Sequence, residues 1–284
     1  MTILRQFMVA LLAVATLATG AANAASTTNF SDQWWIEAES GWGASVLQQA
    51  DILFIDLFVY GADNKPTWFT VTASNQSSAP AGHTLFAGDL YLTTGPYYGG
   101  GAFDSSAVTR EKVGTLTFDA DTTNTAKLTY TVNGVPVVKN VTRQLWRYEN
   151  LSGSYYGGFV WDQPCEDGTD NDHNEIFGSM QITQSTANAV RIDMQITALT
   201  SNGVPQTVPA NWSATMTGPY TQSGHMGQIR ATIADTETTD TMVWTLFEIE
   251  RTINGITGRL TSEVPGDDCK IARRYDGRFG GVRR

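Results

Sequence analysis

The sequence predicts an all-β protein: two tandem antiparallel meander barrels of the lipocalin, avidin or sandwich-like kind, with little helix. Three observations carry that expectation. Apolar residues recur with period two along many short segments, as strands with a covered face require. Turn residues punctuate those segments at short intervals. No stretch combines a sustained helical period with capping residues at its ends.

Residues 32–72 hold four of the eight tryptophans. Trp34 and Ile36 alternate with Trp35 and Glu37, which reads as a strand. Gly41 and Gly43 flank Trp42 and suggest a bend. A strand over 52–60 follows a turn at Ala50–Asp51. It is apolar on both faces, with Ile52, Phe54, Phe58 and Tyr60 on one side and Leu53, Ile55, Leu57 and Val59 on the other. Half-buried strands alternate, so this one is expected to be covered twice. Asp56 interrupts the first face and is expected to be a hydrogen-bonded structural carboxylate. Residues 61–66 form a hairpin loop leading to Trp68, which is expected in the core. Further strands are predicted at 84–92, 102–109, 112–119, 125–132 and 135–146. Asn133–Gly134 marks the hairpin between the last two.

The second half predicts eight strands, near 154–162, 175–184, 188–198, 211–217, 225–234, 241–250, 256–262 and 269–275. An even meander of that count suits a closed barrel. Two short matches suggest a duplication. Thr94-Gly-Pro-Tyr97 recurs as Thr217-Gly-Pro-Tyr220, and Val132-Asn-Gly-Val135 as Ile253-Asn-Gly-Ile256, at nearly one offset. The expected division is a signal peptide at 1–24, an N-terminal β domain at 25–148 and a C-terminal β domain at 149–284.

The composition excludes some partners. Eighteen Lys and Arg against 28 Asp and Glu leave a formal charge of −10. Nucleic acid is excluded, because phosphate binding needs clustered cations, and anionic membrane surfaces are disfavoured. Arg5, the apolar run Phe7 to Leu17 and the Ala22-Asn-Ala24 site read as a secretory signal cleaved after Ala24. The mature protein is then periplasmic or extracellular, and no later run is long enough for a transmembrane span. Cys165 and Cys269, the only cysteines, are expected to pair after export. They fall beside the first and last strands of the second half. Those strands are antiparallel neighbours in a closed barrel, so a disulfide would lock the closure.

Chemistry-bearing residues are few. Trp35, Glu39, Ser40, Trp42, Asp56 and Trp68 are the candidate ligand-binding set. Aromatic rings beside carboxylates suit a carbohydrate or a cation, against the competing reading that the tryptophans simply fill the barrel. Glu37 and Glu39 would share a face with Trp35 if that strand is regular. Asp167, Asp170, Asp172 and Glu175 lie in the acidic run 165–175 and are weak candidates for calcium, since the run fails the EF-hand spacing. A solvated acidic loop is the simpler reading, and no other cofactor is indicated. His225 reads as a strand cap. No nucleophile elbow, zinc-protease motif or phosphate loop occurs.

Several motifs carry a resemblance: Trp34-Trp35, Glu39-Ser-Gly-Trp-Gly43, Gln48-Gln-Ala-Asp51, Phe58-Val-Tyr60 and Pro66-Thr-Trp-Phe69, with Gly224-His-Met-Gly227 and Gly277-Arg-Phe-Gly-Gly-Val-Arg-Arg284 as a second module. Together they resemble a family of uncharacterised secreted proteobacterial β-proteins. The resemblance implies a tandem extracytoplasmic β-protein and no activity. Ala50 stands where that pattern more often has glycine. The functional expectation is a secreted, non-catalytic protein that binds a small molecule, glycan or protein, or serves a surface structural role. A glycan hydrolase using a carboxylate pair such as Glu248 and Glu250, expected on the strand face of Trp244 and Leu246, is the first alternative. An adhesive or fibre-forming, self-associating subunit is the second.

Overall fold

A computed structural model describes residues 28–163, 172–186, 188–236, 242–264 and 273–284. The order is β1 (Asp32–Trp35), β2 (Gly43–Gln49), β3 (Ile52–Tyr60), β4 (Pro66–Asn75), β5 (Thr84–Thr94), β6 (Thr109–Ala120), β7 (Thr125–Val132) and β8 (Val135–Arg143). The second series is β9 (Gly153–Gln163), β10 (Asp172–Thr186), β11 (Ala189–Ser201), β12 (Val204–Gln206), β13 (Ser213–Ser223), β14 (Met226–Asp235), β15 (Met242–Arg251), β16 (Gly255–Val264) and β17 (Arg273–Arg283). Two short 3₁₀ turns, Glu37–Glu39 and Ser105–Ala107, are the only helical elements among the described residues.

The strands form two closed eight-stranded antiparallel barrels in tandem. In the first, β1 to β8 follow one another around the ring, and β1 returns to pair with β8 through Trp34↔Arg143 and Trp35↔Thr142. In the second, β9 pairs with both β10 and β17, and β10 pairs with β11, so the ring closes with the three-residue β12 as an outlier on β11. The antiparallel neighbourhood of first and last strands that the cysteine argument needs is therefore present in β9 and β17, although Cys165 and Cys269 lie outside the described residues. So does the segment 1–24.

By packing, the chain divides into two compact units. One holds 44–122 and 126–140 with the residues before Asp32; the other holds Asp32–Gly43, Thr123–Thr125 and Val141–Arg284. In the first unit, Leu53, Ile55 and Leu57 of β3 are fully buried together with Phe86, Leu90, Leu116, Phe118 and Leu128. Phe30 meets the Phe86 and Phe118 rings edge-on at 5.9 and 5.7 Å. In the second, Tyr155, Phe159, Met180, Ile192, Met194, Ile229, Leu246 and Leu260 belong to one continuous core. Alternation accounts for both interiors: along the barrel strands residues two apart point inward, except where a bulge shifts the parity.

Four local expectations are corrected. The segment predicted as strand at 102–109 is loop with a 3₁₀ turn up to Val108, because Asp104, Ser105 and Ser106 interrupt any alternating apolar face and the Asp104 side chain caps the turn by accepting from the Ser106 N–H. The 3₁₀ turn at Glu37–Glu39 ends β1 at Trp35, so Glu37 and Glu39 do not share a strand face with it. The outer face of β3 is not covered: Phe54, Phe58 and Tyr60 are 40, 41 and 59% exposed, and Trp68, opposite Phe58, is 66% exposed. Finally, the two sequence matches do not mark equivalent strands. Asn133–Gly134 turns between the seventh and eighth strands of its barrel with φ of 49° and 83°. Asn254–Gly255 falls between the sixth and seventh strands of the other, without that left-handed pair.

Candidate functional site

The first candidate site is the outer face of β3 and β4. Alternation puts Phe54, Asp56, Phe58 and Tyr60 in one outward row, about 7 Å apart. Across the strand pair they oppose Thr72, Thr70, Trp68 and Pro66. On the next strand Tyr91 pairs with Thr70, and the Arg110 guanidinium lies 3.9 Å from its ring centre. Asp56 makes no hydrogen bond among the described residues, and partial burial between the neighbouring rings raises its carboxyl above the usual carboxylate range. It is thus not the satisfied structural carboxylate expected from the sequence. Asp56 is also the only charged residue on either strand. Monomeric surfaces rarely keep so many large rings together in water, and such patches mark places where something binds.

Trp35, Glu39, Ser40 and Trp42 fall in the other unit. Glu39 Oε2 accepts a hydrogen bond from the Trp42 indole at 2.9 Å. Both glutamates of the turn and Ser40 are exposed, while Trp35 and Trp42 are half-buried. That bond fixes the orientation of one indole.

A charged network in the second unit was not foreseen. The β13–β14 hairpin turns through Gly224 and His225, with φ of 57° at Gly224. That conformation favours glycine. Space demands it too, since a Cβ there would overlap the Asp32 carboxylate. Asp32 Oδ2 accepts from the His225 backbone N–H at 3.0 Å and contacts its Nδ1 at 2.8 Å. His225 Nε2 lies 3.3 Å from Glu250. The fully buried Arg143 guanidinium approaches the same Asp32 Oδ2 at 3.3 Å, donates through Nε to the Thr123 carbonyl at 2.8 Å and lies 4.9 Å from the Trp34 ring centre. The hydrogen bonds to Asp32 and Glu250 push the His225 imidazole up to about 9. Burial works to raise Asp32, but the His225 bonds outweigh it and hold the carboxyl below its usual range. Burial pushes Arg143 down against the pull of Asp32.

The proposed acid pair belongs to this network. A bulge between Phe247 and Glu250, with φ of 51° at Glu248, shifts the strand register. Ile249 takes the inward place, and Glu248 and Glu250 do not share the face of Trp244 and Leu246. Glu248 accepts from Thr123 Oγ1 at 3.2 Å and faces Arg259 at 3.7 Å, so each acid already has a cation beside it.

Of the calcium candidates, Asp167 and Asp170 lie outside the described residues. Asp172 and Glu175 stand three apart on β10 and so point to opposite faces. Asp172 accepts from the Asn202 amide, and Glu175 meets His173, whose other nitrogen contacts Asp162 at 2.7 Å. Among the described residues no group of three His, Cys, Asp or Glu could hold a metal. No helix among them is long and apolar enough to cross a membrane.

Comparison with known families leaves the reading to the geometry: no protein-family model matches the chain, and no curated protein matches it significantly.

Proposed function

We propose that this is an exported, non-catalytic binding protein that holds a neutral carbohydrate chain on the outer face of β3 and β4. The observation that carries the reading is the exposed row Phe54–Asp56–Phe58–Tyr60 with Trp68 beside it. The C–H faces of pyranose rings stack on aromatic rings. A carboxylate without a partner accepts their hydroxyls, and Thr70 and Thr72 stand opposite to share them. A single acid on an otherwise uncharged face, in a chain of net charge −10, suits a neutral glycan over a polyanion. The signal segment 1–24 supports export, and the β9–β17 pairing supports a Cys165–Cys269 bridge in an oxidising compartment. The family resemblance of the motifs fits the same placement.

Affinity electrophoresis tests the reading, using gels cast with glucomannan, galactomannan, xylan or hydroxyethylcellulose. The mature protein is expected to be retarded by at least one, and Trp68→Ala and Phe58→Ala are expected to lose that retardation with unchanged melting. Retardation that survives both changes overturns the reading. A self-association that Trp68→Ala abolishes, with no retardation in any gel, gives the face to a second copy of the chain instead. N-terminal sequencing of the exported protein is expected to start at Ala25.

A further inference from the structure

The second barrel carries a trough of about 490 Å³ on its outer wall, across β9, β10, β11 and β13. Its register forms a grid of outward side chains. One row runs Tyr156–Ser179–Gln195–Ser213 and the adjacent row Ser154–Gln181–Asp193–Thr215. Short hydroxyl side chains make the hollow. Ser179, Ser213 and Thr215 are half-buried with Asp193, while Gln181 and Gln195 stand up as walls. A strip of serines between glutamines leaves a dip that longer residues would fill.

The groups around the dip are already orientated. Asp193 is gripped by Arg191 Nε at 2.7 Å and accepts from the Thr215 hydroxyl at 2.8 Å. Gln195 donates to the Trp212 carbonyl at 2.8 Å, which turns its amide oxygen outward as an acceptor. Gln181 accepts from Ser154 at 2.6 Å, which presents its amide nitrogen as a donor. At one edge the Arg284 guanidinium lies 4.9 Å from the ring centre of Tyr156, which is 45% exposed.

We propose that this trough binds a neutral saccharide of one or two rings. The volume is that of a small-ligand site. The lining offers donors and acceptors side by side, which matches vicinal hydroxyls. Other ligand classes fit poorly. An anion would meet Asp193, which Arg191 keeps ionised. A cation would meet Arg191 and Arg284. An apolar ligand would strand the hydroxyls and amides. The site stands on its own residues and does not depend on what the β3–β4 face holds.

The test is a titration of the mature protein with glucose, galactose, N-acetylglucosamine, cellobiose and maltose at millimolar concentrations, read by backbone amide shifts. Saturable shifts are expected at Ser179, Gln181, Asp193 and Gln195 with at least one sugar. Ser179→Phe, which fills the dip, is expected to weaken that affinity at least tenfold, and Trp68→Ala to leave it unchanged. Should Ser179→Phe not fold, the double change Gln181→Ala with Gln195→Ala, on exposed side chains, serves the same purpose. No saturable shift at these residues with any of the five sugars overturns the proposal. So does an affinity that survives both variants, or one that Trp68→Ala removes.

Discussion

Ala50 adopts φ of 53° in the turn joining β2 to β3, a region where a side chain crowds the following carbonyl. Ala50→Gly removes the crowding but adds freedom to the unfolded chain, so the two effects partly cancel. The net expectation is a gain of about 0.5–1 kcal/mol, read as a higher denaturant midpoint at constant slope. Gly224 is the opposite case. Its φ of 57° could be borne by other residues at some cost, but the space taken by Asp32 and Arg143 could not. Gly224→Ala is expected to displace Asp32 and lower the melting temperature. A melt indistinguishable from the parent would show that the His225 turn moves freely away from Asp32.

At the scale of the element, β3 teaches what periodicity conveys. The strand itself and its ends were legible, because a β-branched and aromatic run bounded by turn residues acts locally. Which face would be wet was not legible. An unbroken apolar run looks alike whether its outer side meets a partner or water, and only neighbouring strands decide. Trp68 shows the cost: aromatic chemistry argued for the core, and the register with Phe58 puts it outside. Glu248 and Glu250 went astray for a related reason, since a bulge changes the parity of every later residue and leaves no mark in composition. The two faces of β3 make opposite predictions. Ile55→Ala opens a cavity in a fully buried site and is expected to cost about 2–5 kcal/mol. Phe58→Ala removes a side chain already 41% exposed and is expected to cost well under that, roughly 0.5 kcal/mol or less. Urea melts of the two variants measure the contrast, and equal losses would mean that the outer row is packed in solution.

On the scale of the molecule, the second unit is assembled from three stretches of chain, 32–43, 123–125 and 141–284, and charge ties them together. Asp32 comes from the first, Thr123 from the second, and Arg143, His225, Glu248, Glu250 and Arg259 from the third. With His225 protonated, three cations face three carboxylates. Balance of that kind depends on pH, because breaking up a buried ionic group leaves the remaining charges without compensation. His225 has its folded value raised to about 9, against an ordinary value near 6.5. Its contribution is therefore fully present below about pH 6.5 and is lost as pH rises through 9. Asp32 is lowered, so its contribution is present above the ordinary carboxylate range and is lost as acid carries pH down through its folded value. The network should thus support the unit most strongly between the ordinary carboxylate range and about pH 6.5. Solvent reaches His225, whose side chain is 39% exposed, and this screens part of the effect. The measurement is the melting temperature of the parent and of His225→Gln between pH 6 and pH 10. The parent is expected to exceed the variant most at pH 6, with the gap closing toward pH 10 as the imidazole loses its proton. Because lysines and tyrosines titrate in both proteins, only the difference between the two curves reports on His225. A gap that stays constant across that range would mean that His225 acts through packing and its backbone N–H bond to Asp32, and that its charge holds nothing together.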